Sequence, residues 1–169
     1  MRAFIATILT TFSMGAASEV PPAYVSIANN AGIPPSVLWT IAIMESNAKL
    51  NIGWYPWPWT LNVAGKSIYL PNRDEACQKA VESIEEKGPK SVDIGLTQNN
   101  WGYNGIKYFN NPCDAFDPVR NLQVASIILR ECYEKRGDWI EAAGCYHRRA
   151  DGKPAEQYKN KFAEKWDDR

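Results

Sequence analysis

Apolar residues recur along this chain mostly at intervals of three and four, the period of a helix that buries one face. Residues 21–31 (PPAYVSIANNA) predict a short first helix, with Pro21 and Pro22 at its start and Gly32 just past its end. A second begins at Pro34-Pro35-Ser36 and carries Val37, Leu38, Ile41, Ala42 and Met44. It runs out near Asn47, which puts Glu45 on its last turn. Asn72, with Glu75 three residues on, has the spacing of a capping box and opens a third helix. That helix presents Ala76, Ala80, Val81 and Ile84 on one face and stops at Gly88-Pro89. Residues 118–135 direct Val119, Leu122, Ala125, Ile128 and Leu129 inward; after a turn at Arg136-Gly137-Asp138, residues 138–147 do the same with Trp139, Ile140, Ala143 and Cys145. A polar tail helix, 154–166, repeats Tyr158, Phe162 and Trp166 every fourth residue.

Three stretches break this period. Gly53-Trp54-Tyr55-Pro56-Trp57-Pro58-Trp59 is neither helix nor ordinary strand, because its prolines hold the backbone extended. Residues 60–63 and 67–70 flank Ala64-Gly65-Lys66 and predict a small hairpin. Residues 91–105 (SVDIGLTQNNWGYNG) predict a loop region that opens with a short extended piece. No repeat, linker or composition break divides the chain, so the expectation is one mainly α domain with a small β-hairpin.

The first eighteen residues stand apart. Met1-Arg2, an apolar run over 3–14 and Gly15-Ala16-Ala17-Ser18 predict a signal peptide cut near residues 17–18, followed by one domain over 19–169. The run is short for a bilayer span, no other stretch is long and apolar enough to be one, and stable membrane insertion is not expected. The whole chain balances 19 basic against 19 acidic residues, and loss of Arg2 with the leader leaves a net charge of −1. A near-neutral domain lacks the electrostatic footprint of a nucleic-acid binder and suits a largely uncharged polymer. Export also bears on Cys77, Cys113, Cys132 and Cys145, for which an oxidising compartment makes disulfides the default. Four cysteines allow three pairings. The tight turn at 136–138 favours Cys132 with Cys145, which leaves Cys77 with Cys113. With no CxxC and a single histidine, His147, no metal or other cofactor is expected.

Four blocks carry the candidate chemistry. Ile41-Ala42-Ile43-Met44-Glu45-Ser46-Asn47 resembles the helix-end Glu-Ser motif of the SLT-type lytic transglycosylases. Asp93-Ile94-Gly95-Leu96-Thr97-Gln98-Asn99-Asn100 is similar to their glycine-leucine-methionine-glutamine block. Phe116-Asp117-Pro118-Val119-Arg120-Asn121-Leu122 resembles their Asp-Pro…Asn helix start, and Ala142-Ala143-Gly144-Cys145-Tyr146-His147 their Ala…Tyr-Asn block. The four occur in the family's order across roughly residues 36–160. The hairpin and helix between the first two, with the Tyr146-His147 ending, resemble the subgroup encoded with conjugation and type IV secretion machinery. The chain departs from the family at Thr97 (usually Met), at His147 (usually Asn) and over 148–152.

The resemblance implies a lysozyme-like fold, with the hairpin beside the cleft, in which Glu45 is catalytic. The residues support that role independently. Glycoside cleavage needs a proton donor whose carboxyl pKa is raised by poor solvation, and Glu45 follows four apolar residues at a helix C-terminus, where the dipole disfavours its anion. Taken alone, a helix-end glutamate reads as solvated surface; the other three blocks reverse that. Most glycosidases need a second carboxylate. Asp93 is the one good candidate and reads as a brace for its loop. The resemblance implies that the substrate's N-acetyl group replaces a nucleophile, while Glu45 acts as acid and then as base toward the sugar 6-hydroxyl, closing a 1,6-anhydro ring. Ser46, Gln98, Asn100 and Tyr146 are the expected substrate contacts, with Tyr146 placed to orient Glu45. Trp54, Trp57, Trp59 and Trp101 are candidates for stacking on sugars or for core packing.

The expectation is therefore a periplasmic or secreted enzyme acting on peptidoglycan glycan strands, with conjugation or type IV secretion components as candidate partners. Two other readings share these residues. One is a hydrolytic muramidase of the goose-lysozyme kind; the other is a non-catalytic, glycan-binding subunit of an envelope-spanning machine.

Overall fold

A computed structural model describes residues 19–167, so the expected signal peptide lies outside the described residues. The fold is mainly α, with a small antiparallel sheet on one side. Helices α1 (Pro22–Asn30) and α2 (Pro35–Ser46) both start with proline in the first turn, where its missing N–H costs nothing. Strands β1 (Asn47–Leu50) and β2 (Gly53–Pro56) follow as one hairpin, then β3 (Thr60–Val63) and β4 (Lys66–Tyr69) as another. Helix α3 (Arg73–Lys87) is capped by Asn72, whose side chain accepts from the Glu75 amide at 2.9 Å and donates to the Glu75 carboxylate at 2.8 Å, so the expected Asn72–Glu75 pairing forms through the Asn72 side chain and not its backbone N–H. Strands β5 (Val92–Ile94) and β6 (Asn99–Asn100) complete a four-stranded sheet of order β4-β3-β5-β6. A π-helical turn (Trp101–Gly105) and the one-turn α4 (Ile106–Tyr108) lead to α5 (Pro118–Arg136), α6 (Trp139–His147) and α7 (Lys153–Asp167).

Two apolar clusters share the interior. One gathers α1, α2, α5 and α7 around Leu38, Ile41, Leu129 and Phe162. The other packs α3 and α5 against the sheet around Leu61, Ile94, Phe116 and Ile128. Tyr146 touches both. Both expected disulfides form: Cys132–Cys145 ties α5 to α6, and Cys77–Cys113 ties α3 to the 3-10 turn Pro112–Phe116. Among the described residues no helix is long and apolar enough to cross a membrane.

The structure corrects four local expectations. Residues 53–56 are a strand after all, paired in register with 47–50. The expected loop at 91–105 contains two strands and a π-helical turn. Val81 and Val119 are exposed, because the buried stripe of α3 runs through Ala76, Ala80 and Ser83, and that of α5 begins at Asn121. The sequence-level hairpin is the outer half of a four-stranded sheet.

Candidate active site

Glu45 is the penultimate residue of α2, half-buried where the helix gives way directly to β1. The Tyr158 hydroxyl of α7 donates to Glu45 Oε1 at 2.6 Å, across 113 residues of sequence. Ser46 beside it is 0% exposed; its hydroxyl reaches the Leu96 carbonyl at 2.6 Å and the Ala42 carbonyl at 3.1 Å. Helix α2 is thereby fastened at its last turn to the segment after β5.

That segment, residues 94–98, is where the four sequence blocks meet. The Asn121 side chain makes three of its four hydrogen bonds to it. Its Oδ1 accepts from the Thr97 amide (3.0 Å) and hydroxyl (2.7 Å), and its Nδ2 donates to the carbonyls of Ile94 (2.9 Å) and Ala115 (2.8 Å). Gly95, at φ +83°, fits only as glycine, since a Cβ there would collide with the Asn121 amide and lie 2.9 Å from the Ala115 oxygen. The Tyr146 hydroxyl donates to the Thr97 carbonyl at 2.7 Å. Gln98, itself at φ +48°, turns its amide back onto the Gly95 and Thr60 carbonyls at 2.8 and 3.2 Å. A left-handed, non-glycine residue carries strain that only over-determined surroundings hold, and these bonds supply them.

Between this segment and the C-terminal helices lies a cleft of about 920 Å³. Met44 and Glu45 line it from α2, Asn62 and Ser67 from the hairpin, and Asp93, Gln98 and Asn100 from the adjoining strands and turn. Tyr146, His147, Arg148 and Arg149 close the opposite side. Burial pushes the Glu45 carboxyl up to about 7 from 4.5; the Tyr158 hydrogen bond pulls it down, and the neighbouring Asp93 charge adds a smaller push upward. Asp93 is raised in turn by burial, against the bond it accepts from Asn100 Nδ2 at 2.8 Å. Burial, with Glu45 close by, holds both Tyr146 and Tyr158 as phenols. His147 stacks on Tyr158, rings 4.4 Å apart and 8° from parallel; burial, then Arg148 and Lys161, lower its pKa.

No family model matches the chain. Over 95 aligned residues it is 39% identical to the "Type IV secretion system protein virB1" of Brucella abortus, and equally to the proteins so described in Brucella melitensis and Brucella suis. The alignment covers 50% of this chain, which spans 39% of the length of these curated relatives.

The structure brings Glu45, Gln98, Asn100 and Tyr146 to one cleft and leaves Ser46 out of it. Ser46 has no surface to offer a ligand and serves as the tie to Leu96. Asn100 is engaged at both ends of its amide, donating to Lys90 and Asp93 and accepting from the Tyr103 amide at 3.1 Å. The tyrosine that orients Glu45 is Tyr158, not Tyr146. Tyr158 reads in sequence only as one of three aromatics at spacing four on the tail helix; the signal was its hydroxyl, which on a buried face needs a partner. None of the four candidate tryptophans lines this cleft. Trp101 (9% exposed) and Trp59 pack in the second core cluster, and Trp54 and Trp57 line a separate groove. Among the described residues no three His, Cys, Asp or Glu side chains are grouped as metal ligands. Chemically, the cleft offers one carboxyl poised near neutrality, a phenol fixed on one of its oxygens, and amide and hydroxyl groups around it. Because Tyr158 donates to Oε1, the other carboxyl oxygen is left to carry a transferable proton.

Proposed function

We propose that this chain is a peptidoglycan lytic transglycosylase whose single proton-transfer group is Glu45. In this reading residues 1–18 are a cleaved leader, and residues 19–169 form a lysozyme-like domain acting in the periplasm or outside the cell. The observation that carries the proposal is the Glu45 carboxyl, half-buried at the edge of a polar cleft and raised to about 7 with Tyr158 hydrogen-bonded to it. A carboxyl pKa raised toward the working pH is the condition under which a general acid works best.

Glu45 gives its proton to the bridging oxygen between N-acetylmuramic acid and N-acetylglucosamine, and the glycosidic C–O bond breaks. The acetamido oxygen of the muramyl unit holds the electron-poor anomeric carbon. The Glu45 carboxylate, stabilised by the Tyr158 hydroxyl, takes the proton of the 6-hydroxyl, whose oxygen closes on that carbon as the acetamido oxygen leaves it and returns to the neutral amide. The product carries a 1,6-anhydro ring, Glu45 regains its proton, and no water is consumed. Similarity to the Brucella virB1 proteins supports a place beside a type IV secretion apparatus, where a glycan cut would open the wall for assembly.

One observation favours a second reading: Asp93 lines the same cleft and acts electrostatically on Glu45, as a second carboxylate would in a hydrolytic muramidase. Paired variants assayed on purified sacculi separate the two. Glu45→Gln is expected to lower glycan release by about a thousandfold or more, with the fold retained. Asp93→Asn is expected to retain at least about a tenth of the activity, since Asp93 moves no proton in this scheme. Equal loss in both variants would transfer the assignment to the hydrolase, and an active Glu45→Gln protein would remove the catalytic claim.

A further inference from the structure

We infer that a second, apolar groove, walled by Leu50, Trp54, Trp57 and Tyr69, is a sugar-binding site for the stretch of glycan strand beyond the units held at Glu45. The inference rests on the reading of the Glu45 cleft as a glycan site. The groove encloses about 590 Å³ between the two hairpins. It continues the cleft from two sides. On β4, Ser67 lines the cleft and Tyr69 lines the groove, and residues two apart on a strand share a face, roughly 7 Å from each other. Ile68 between them turns to the core. At the end of α2, Glu45 lines the cleft, and Asn47, two residues later, lines the groove. The Tyr69 hydroxyl donates to the Asn47 carbonyl at 3.1 Å, joining the two sides.

The lining fits the polymer. Trp54 is 62% exposed and Tyr69 49%, rings left bare where a core role would have covered them. Trp57 is instead fixed, its indole N–H donating to the Leu70 carbonyl at 2.7 Å and its ring edge-on to Trp59. One rigid ring and two accessible ones match the flat C–H faces of pyranose units, whose hydroxyls stay in water at the rim. Lys49 is the one charged side chain of the lining, so the site lacks the electrostatics of an ion-binding pocket.

The test uses the full-length Glu45→Gln protein, so that no strand is cut, titrated with peptide-free glycan of two lengths, a disaccharide and an octasaccharide. Adding Trp54→Ala is expected to weaken octasaccharide binding by about fivefold and leave disaccharide binding unchanged, with Trp54→Phe recovering part of the loss. The Trp54 indole N–H resonance is expected to move with the octasaccharide only. Identical octasaccharide affinity with and without Trp54, or an indole signal that never moves, overturns the groove while leaving the cleft reading in place. Absence of binding at either length overturns both.

Discussion

The Glu45 cleft and the aromatic groove lie side by side, yet they are built in opposite ways. The cleft is made by contacts that span the chain: Tyr158 to Glu45, Tyr146 to Thr97, Ser46 to Leu96 and Asn121 to Ile94. The groove comes from two local hairpins between residues 47 and 71. Burial shifts Glu45 and Asp93 in the cleft, whereas Lys49 is the groove's one charged side chain. Tuning a carboxyl requires taking it out of water, which needs walls from several elements and a rigid loop to hold them. Stacking a sugar requires only rings left exposed, and a short hairpin supplies those. If this contrast is right, damage to the shared loop should be expensive and confined to the cleft, while damage to the groove should be mild.

The largest effect expected is therefore at Gly95. Gly95→Ala adds a Cβ at φ +83° against the Asn121 amide and the Ala115 carbonyl, and should cost about 3–5 kcal/mol in denaturant unfolding. A loss below about 1 kcal/mol would mean that the loop is softer than its bonds imply.

Next comes the pH dependence of stability. The folded-state value of Glu45, about 7, lies above its ordinary 4.5, so the protonated carboxyl contributes fully below pH 4.5, and that contribution is lost as pH rises through about 7. Glu45→Gln removes the titration while keeping the oxygen that accepts from Tyr158. It should match the wild type near pH 4 and exceed it above pH 7 by up to about 3 kcal/mol, read from unfolding midpoints. A constant difference at every pH would show that Glu45 is not desolvated.

Trp57 sharpens the groove side of the comparison. Half-buried, bonded to Leu70 and packed on Trp59, it should cost about 2 kcal/mol as Trp57→Ala, less than a fully buried tryptophan. In the remaining folded protein, octasaccharide binding should weaken by about fivefold while turnover at saturating glycan changes little. A strong loss of turnover without loss of stability would place Trp57 in the cleft's chemistry.

Tyr158→Phe is the smallest of the four in energy. It deletes one hydrogen bond to a carboxylate and keeps the ring that stacks on His147, so turnover should fall by roughly tenfold. Because that bond lowers the Glu45 pKa, its removal should also move the alkaline limb of the pH–activity profile upward. A limb that stays in place would dismiss Tyr158 as a partner of the acid.

How legible these regions were in the sequence follows the same contrast. Helices α1, α2, α3, α5, α6 and α7 stand within a few residues of their predicted ends, because proline starts, an Asn72 cap and glycine stops mark them locally. Both disulfides were readable, one from a tight turn and the other by remainder. The hairpin 47–56 was not. Its strands are not half-buried, with Lys49, Trp54 and Tyr55 all exposed, so no alternation of apolar and polar residues announces it. Glu45 and the loop at 94–98 are singled out by their motif blocks, and the fold brings them together. What the motifs could not convey is that Ser46, Asn100 and Tyr146 direct their hydrogen bonds to the protein's own backbone or to Asp93. Tyr158 was hidden by periodicity: at spacing four from Phe162 it is indistinguishable from a core aromatic until the fold brings Glu45 against its hydroxyl.

Ring closure at Glu45, in place of activation of water, is read from the mass of the released muropeptides. Purified peptidoglycan digested by the wild-type protein should yield fragments ending in 1,6-anhydro-muramyl units, lighter by one water than the corresponding reducing sugars and unchanged by borohydride. Fragments with reducing ends, which borohydride converts to the alditol, would contradict ring closure and point to a hydrolase.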